Sequence, residues 1–201
     1  MNQGKEPLPE DMNEEKLITR AAKGDASAFN ELLGMHEKKM YAVCLRMCAN
    51  TEDAQDCLQE AMLRIFRSIS SFKGQSTFST WVYRVTMNTC LDELRKKKNK
   101  QSTSLDGLLE TGWSPANEDD TPERHAIAGE KREAIRSAIA ELPEDMRSAI
   151  VLRDVQGFSY DEISSILGIN VGTIKSRISR GREKLREKIR RKPELFDNGN
   201  V

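Results

Sequence analysis

From Ser159 to Lys192 the chain leaves itself one economical way to fold. Ser159 followed by Tyr160, Asp161 and Glu162 is a capping box, the serine hydroxyl accepting from the amide of the third helical residue while Glu162 reaches back to the cap. The helix that starts there places Tyr160, Ile163 and Leu167 on one face, and Gly168 supplies a left-handed stop. Ile169 and Asn170 lead into a second helix, so the spacing predicts a helix-turn-helix. In that second helix Val171, Ile174, Ile178, Leu185 and Ile189 form an inward stripe. Ser176, Ser179 and Arg180 fall opposite it, with Lys175 alongside. Gly181, on the packing stripe, costs about 1 kcal/mol against alanine, and close helix approach is the expected reason for it.

Between Asn170 and Lys192 ten basic residues face only Glu183 and Glu187. A helix with one apolar face and one cationic face suits a phosphate-lined groove. A solvated face on a structural bundle would also carry charge, but capping box, glycine turn and basic reading face coincide here.

Overall neutrality conceals this. Lys plus Arg equals Asp plus Glu at 32 each, yet residues 1–70 carry −3, 71–100 carry +5, 101–145 carry −7 and 146–201 carry +5. Two basic segments flank an acidic one, the pattern of two nucleic-acid contacts joined by a spacer. The acidic, proline-bearing start from Met1 to Glu15 has no apolar core, and no apolar run is long enough to span a bilayer, so a cytoplasmic protein without membrane insertion is expected. Cys44, Cys48, Cys57 and Cys90 match no close zinc spacing, although Cys44 and Cys48, four apart, could supply two ligands. Buried small thiols, with no metal or other cofactor, are the expectation.

Along the chain, Leu17, Ile18, Ala21 and Ala22 predict a short helix stopped at Gly24-Asp25. Phe29, Leu32, Leu33, His36, Met40, Val43, Cys44 and Met47 then form a long stripe at helical spacing, on which His36 reads as a core histidine. A third helix follows Asn50-Thr51 and runs to about Ile69, burying Ala54, Cys57, Leu58, Ala61 and Ile65. Its other face combines Asp53, Asp56, Glu60 and Arg67 with an exposed Leu63, which suits either solvent or a protein partner. Ser70 to Thr80 is a loop with Phe72 and Phe78 bracketing Lys73 and Gly74, leading into a helix from about Phe78 to Lys98. That helix is apolar on two sides, with Phe78, Trp81, Val82, Val85 and Thr89 on one and Tyr83, Met87, Cys90 and Leu94 on the other, so it needs two coverings. Arg84, Asn88, Leu91 and Arg95 make a third line, and Lys96 to Lys98 with Lys100 close it with a basic run. Loop aromatics, amides and cations together fit single-stranded nucleic acid, with an ordinary aromatic core as the alternative, partly so for Trp81. Asn99 to Glu123 reads as a linker, with a short helix conceivable around Leu105 to Leu109. A helix near Pro122-Glu123 turns Ile135, Ala138, Ile139 and Leu142 inward, and Pro143 at the first helical position opens another with Met146, Ile150 and Val151. No strand alternation is present, so the fold class is all-α.

DAQDCLQEAMLRIF at 53–66, FKGQSTFSTWVYRVTMNTCLDELRKK at 72–97 and LPEDMRSAIVLRDVQGFSYDEISSILGINVGTIKSRISRGREKLR at 142–186 together resemble a bacterial sigma factor of the extracytoplasmic-function group, in the sigma-70 family. The resemblance implies two helical domains: sigma region two over 1–98 and region four over 124–192, with a flexible linker at 99–123 and a disordered tail at 193–201. It implies that Asp53, Asp56, Gln59 and Glu60 dock on the beta-prime clamp of core RNA polymerase, with region four on the beta flap. Phe72, Lys73, Gln75, Ser76, Phe78, Trp81, Arg84, Asn88 and Arg95 would capture the melted minus-ten strand with its flipped base, and Thr173, Lys175, Ser176, Arg177, Ser179 and Arg180 would read the minus-thirty-five element. Anti-sigma control is usual in that family. Cys57 stands where the family usually has an aliphatic residue, and Ser179 where a larger one is frequent.

No side chain is then needed for chemistry, because polymerase supplies catalysis. A stand-alone helix-turn-helix regulator would need a dimer interface or sensory domain, where residues 1–100 instead carry the basic aromatic loop. A site-specific recombinase would need a nucleophile-bearing α/β domain, for which no strands are visible.

Overall fold

The computed structural model describes residues 9–101 and 122–191, and no strand occurs among them. The linker between these two stretches, including the Leu105 to Leu109 segment, and the tail beyond Arg191 lie outside the described residues. Helix α1 (Pro9–Ala22) ends before Asp25, whose carboxylate caps α2 (Ala26–Cys48) by accepting from the Ala28 amide and pairs with Arg20 at 2.7 Å. The whole predicted α2 stripe from Phe29 to Met47 is buried. Asn50 caps α3 (Thr51–Ser68), which is followed by a single 3-10 turn at Ile69–Ser71. Between α2 and α3, Ala49 sits in the left-handed region at φ 70°, where an L-residue is strained. Helix α4 (Phe78–Gln101) completes the first bundle.

The second half opens with α5 (Pro122–Ala140) and α6 (Glu144–Ile150). Two details depart from the periodicity. Ile135 is exposed at 41%, because α5 has a narrow buried stripe of Ala134, Ala138 and Ile139 and Ile135 falls beside it. Pro143 is the cap residue of α6 rather than its first helical residue, its extended ψ of 140° turning the chain into the helix. Helix α6 then widens into one π-turn at Val151–Val155, closed by the Gln156 amide on the Val151 carbonyl. Helices α7 (Tyr160–Leu167) and α8 (Val171–Arg190) form the helix-turn-helix, with the predicted capping box at Ser159 and Glu162 and Gly168 at φ 67°. Gly181 is the close approach anticipated: a Cβ there would stand 2.8 Å from Cγ1 of Ile150 on α6.

Burial is divided between two cores, and neither matches a simple cut of the chain into halves. One is built from α1 to α4, around Leu32, Met40, Ile65, Phe78 and Val82. The other runs continuously from Cys44, Cys57, Tyr83 and Met87 to Leu142, Ile150, Ile163 and Ile174, so the helix-turn-helix half is packed on the first bundle.

Candidate nucleic-acid interface

The reading helix is assembled locally. Asn170 caps α8 by accepting from the Thr173 amide at 2.8 Å, and also accepts from the Thr173 hydroxyl at 3.0 Å. This leaves Thr173 half-buried, while Lys175, Ser176, Ser179 and Arg180 are exposed on the outer face. The Lys175 ammonium lies 5.8 Å from the centre of the Tyr160 ring, within cation–π range. Arg177 is set apart from these: half-buried, it turns toward α6, with Nε 3.4 Å from Asp145. Arg182 forms a two-pronged pair with Asp154 at 2.5 and 3.0 Å, and Lys188 pairs with Glu141. Several cations of this helix therefore hold it to α6, to the π-turn and to the residue after α5, while Lys175 and Arg180 face outward.

The loop and α4 are placed differently. Phe72, Phe78 and Trp81 form a cluster with ring centres 5.5 to 5.7 Å apart, and Phe78 is 2% exposed. Phe78 thus supports the loop from beneath, with its ring 5.6 Å from the buried His36, and has no free face for a base. Phe72 and Trp81 are half-buried, Ser76 likewise, and Lys73, Gln75, Asn88 and Arg95 are exposed. Burial pushes the His36 imidazole below its usual pKa, partly offset by Glu14 at 3.4 Å.

The second apolar face of α4 is covered by the helix-turn-helix half. Tyr83 meets Phe158 edge-on at 4.8 Å and its hydroxyl reaches Gln156 at 3.5 Å, a contact made possible by the π-turn that folds Phe158 back. Arg84 donates to the Ser165 hydroxyl on α7 at 2.8 Å. Arg147 of α6 donates to the Met47 carbonyl at 2.6 Å. One expected strand-binding residue, Arg84, is thereby engaged by the other half of the molecule. Sequence periodicity demanded a covering for this face, but nothing local named Ser165, Gln156 or Phe158 as its partners.

On α3, Asp56 and Gln59 are exposed, Asp53 is held by Lys97 and Asn50, and Glu60 accepts from Arg64 at 2.8 Å. Arg64 also binds Asp92 at 2.8 Å, and its hydrogen bond lowers the pKa of Glu60, so the carboxylate is ionised at neutral pH. Leu63 and Phe66 are both about half exposed beside these acids, at 48% and 49%. Phe66 was hidden by its position just off the acidic line.

Three of the four cysteines, Cys44, Cys57 and Cys90, converge with their sulfurs within 4.8 Å of one another although no spacing in the chain joins them. Sγ of Cys57 lies 3.3 Å from that of Cys90, and Cys90 lies 3.8 Å from Cys44. Cys48 lies one turn beyond Cys44 on the same helix and is half-buried. Neighbouring Cys57 and Cys90 draw the Cys44 thiol down to about 5, while Cys57 together with burial pushes Cys48 up to about 12.

Comparison with known proteins agrees with the two-part reading. Residues 32–100 match the family described as sigma-70 region 2, and residues 132–185 match sigma-70, region 4. The chain is 38% identical over 181 residues to the ECF RNA polymerase sigma factor SigW of Bacillus subtilis (strain 168), covering 87% of this chain and 96% of that protein. It is 35% identical over 187 residues to the ECF RNA polymerase sigma-E factor of Escherichia coli (strain K12), covering 90% and 97%. Among solved structures it resembles the sigma factor RpoE of Bartonella quintana, crystallised with the anti-sigma factor NepR, with a TM-score of 0.68 and 25% identity over 81% of this chain and 96% of that one.

Proposed function

The chain belongs to the extracytoplasmic-function sigma factors of the sigma-70 family, directing promoter-specific transcription initiation, and from that premise we propose that the packed arrangement is its resting form, opened by core polymerase. The observation that carries this is the unequal state of the two DNA-facing surfaces. The outer face of α8 is open, whereas Arg84 and the apolar flank of α4 are engaged with α7 and Phe158.

Size argues the same way. The minus-ten and minus-thirty-five elements are separated by about 25 base pairs, or about 85 Å of straight duplex at 3.4 Å per pair. A packed chain of 201 residues has a radius of gyration of about 17 Å and is about 43 Å across. It cannot touch both elements while closed. Twenty residues separate Gln101 from Pro122, and fully extended they span at most about 70 Å, enough to let the halves part.

In this reading Asp56, Gln59 and Glu60 meet the beta-prime clamp, and region four meets the beta flap. Polymerase holds the halves apart, which makes the second promoter contact effectively intramolecular. Lys175, Ser176, Ser179 and Arg180 then read base edges while phosphate contacts set register, and Lys73, Gln75, Asn88 and Arg95 with the released Arg84 receive the melted strand. An anti-sigma partner is part of the proposal, supported by the complex in which the Bartonella relative was solved. The stand-alone regulator makes the opposite forecast. Transcription in vitro with and without core polymerase separates them: the isolated chain should bind duplex promoter weakly and direct initiation only once core is added. Tight sequence-specific binding by the chain alone, unchanged by core, would overturn the reading.

A further inference from the structure

We propose that Cys44, Cys48, Cys57 and Cys90 form a tetrahedral binding site for one zinc ion, tying α2, α3 and α4 together beneath the helix-turn-helix half. The geometry is the first support. A zinc–thiolate bond of about 2.3 Å gives sulfur–sulfur edges of about 3.8 Å in a tetrahedron. The observed 3.3 and 3.8 Å, with the Cys44, Cys57 and Cys90 sulfurs all within 4.8 Å of one another, are those edges to within small side-chain rotations. Cys48, one turn after Cys44 on the same helix, stands outside that group of three and reaches the fourth corner by a change of side-chain rotamer when the metal binds.

The donor chemistry narrows the ligand. Four thiols with no carboxylate among them select a borderline-soft or soft cation over magnesium or calcium. An iron–sulfur cluster would need room for inorganic sulfide between the cysteines, and sulfurs this close leave none. Three of the four thiols are buried and Cys48 is half-buried, which gives a closed site with one side open for entry.

The surroundings answer the charge. Loading replaces four thiol protons by one divalent cation, releasing four protons to solvent and leaving a net −2 at the site. Arg147, from the opposite half of the molecule, is close enough to Cys48 for their charges to interact, and its buried Nε has no hydrogen-bond partner among the described residues. Asp53, whose charge also reaches Cys48, is already paired with Lys97. The only non-glycine residue described with positive φ, Ala49, lies directly after Cys48, where ligation would hold the strained turn. A loaded site therefore favours Arg147 in place, and with it the packed arrangement.

The full-length chain, purified under reducing conditions and depleted with a chelator, should rebind one equivalent of zinc. Cobalt(II) in its place should give the intense sulfur-to-metal charge-transfer and visible bands of a tetrahedral four-thiolate complex, a readout that needs no variant. Cys48→Ser, at the half-buried corner, should keep its helicity, weaken zinc at least tenfold and reduce the charge-transfer intensity by about a quarter. Failure of the reduced wild-type chain to take up stoichiometric zinc or cobalt would overturn the site. So would a chain two mass units lighter that binds no metal, which would make Cys57 and Cys90 a disulfide pair. Because metal uptake is read without DNA or polymerase, its failure leaves the initiation role standing, and the converse holds.

Discussion

The two basic surfaces carry the same net charge, +5 over residues 71–100 and +5 over 146–201, yet they stand in different states. Helix α8 draws its cations into two sets: Lys175 and Arg180 face outward, and Arg177, Arg182 and Lys188 are paired with acids on neighbouring elements. Helix α4 is instead apolar on two flanks, and the flank left over after the first bundle forms is the one the helix-turn-helix half covers. Charge sets which surfaces attract DNA, and leftover apolar surface sets which of them is free to bind it. Burying a flank that would otherwise face water is favourable at about 25 cal/mol per Å². That drive acts inside the free protein as readily as on a partner.

The sharpest way to break the comparison is to remove what opens the molecule. Reversing charge at Asp56 and Glu60 together should abolish co-purification with core polymerase while circular dichroism stays unchanged; retention of polymerase by this double variant would remove α3 from the docking role. Next in size, combining Phe158→Ala with Ser165→Arg removes the ring contact with Tyr83 and sets a cation against Arg84. Small-angle scattering should then show a radius of gyration rising above the roughly 17 Å of the packed chain. Affinity for single-stranded minus-ten DNA should rise with it, and an unchanged radius would mean these contacts do not hold the halves together.

A smaller effect probes the open surface. Arg180→Ala should cost about 1 to 3 kcal/mol of base discrimination if its guanidinium grips a guanine, measured as the ratio of initiation from matched and mismatched minus-thirty-five elements. Since Arg180 is already exposed, this loss should be the same in the opened variant as in the parent. The smallest is Gly181→Ala. Helix propensity favours it by about 1 kcal/mol, but the new methyl would meet Ile150, itself fully buried, and overpacking costs about 1 to 3 kcal/mol. Net destabilisation of at most about 2 kcal/mol should appear as a lower Tm; a raised Tm would show that α6 and α8 can move apart freely.

Local chemistry made much of this molecule legible in the chain. Ser159 with Glu162, Gly168 at the turn and Asn170 before α8 are caps whose partners lie within four residues, so their pairing follows from short-range geometry. The α2 stripe was equally readable, because 3.6-residue periodicity reports which face is buried. It failed at Ile135, where an aliphatic residue at nearly the right angle sits beside small alanines that do the packing. Among site residues, Lys175, Ser179 and Arg180 are exposed as their spacing implied, while Phe78, grouped with the loop aromatics, proved to be core. An aromatic at a loop-to-helix junction has the same sequence signature whether its ring points in or out.

The sequence by itself determined the helices, their caps, the basic reading face and the need for a second covering over α4. Only the tertiary structure decided that the covering is the chain's own helix-turn-helix half, that Arg84 is held by Ser165 some eighty positions away, and that cysteines from three helices meet within 4.8 Å. Periodicity specifies how much apolar surface must be hidden and on which face. It carries no label for what hides it, because apolar burial is non-directional, and the partner is chosen by the relative placement of whole helices.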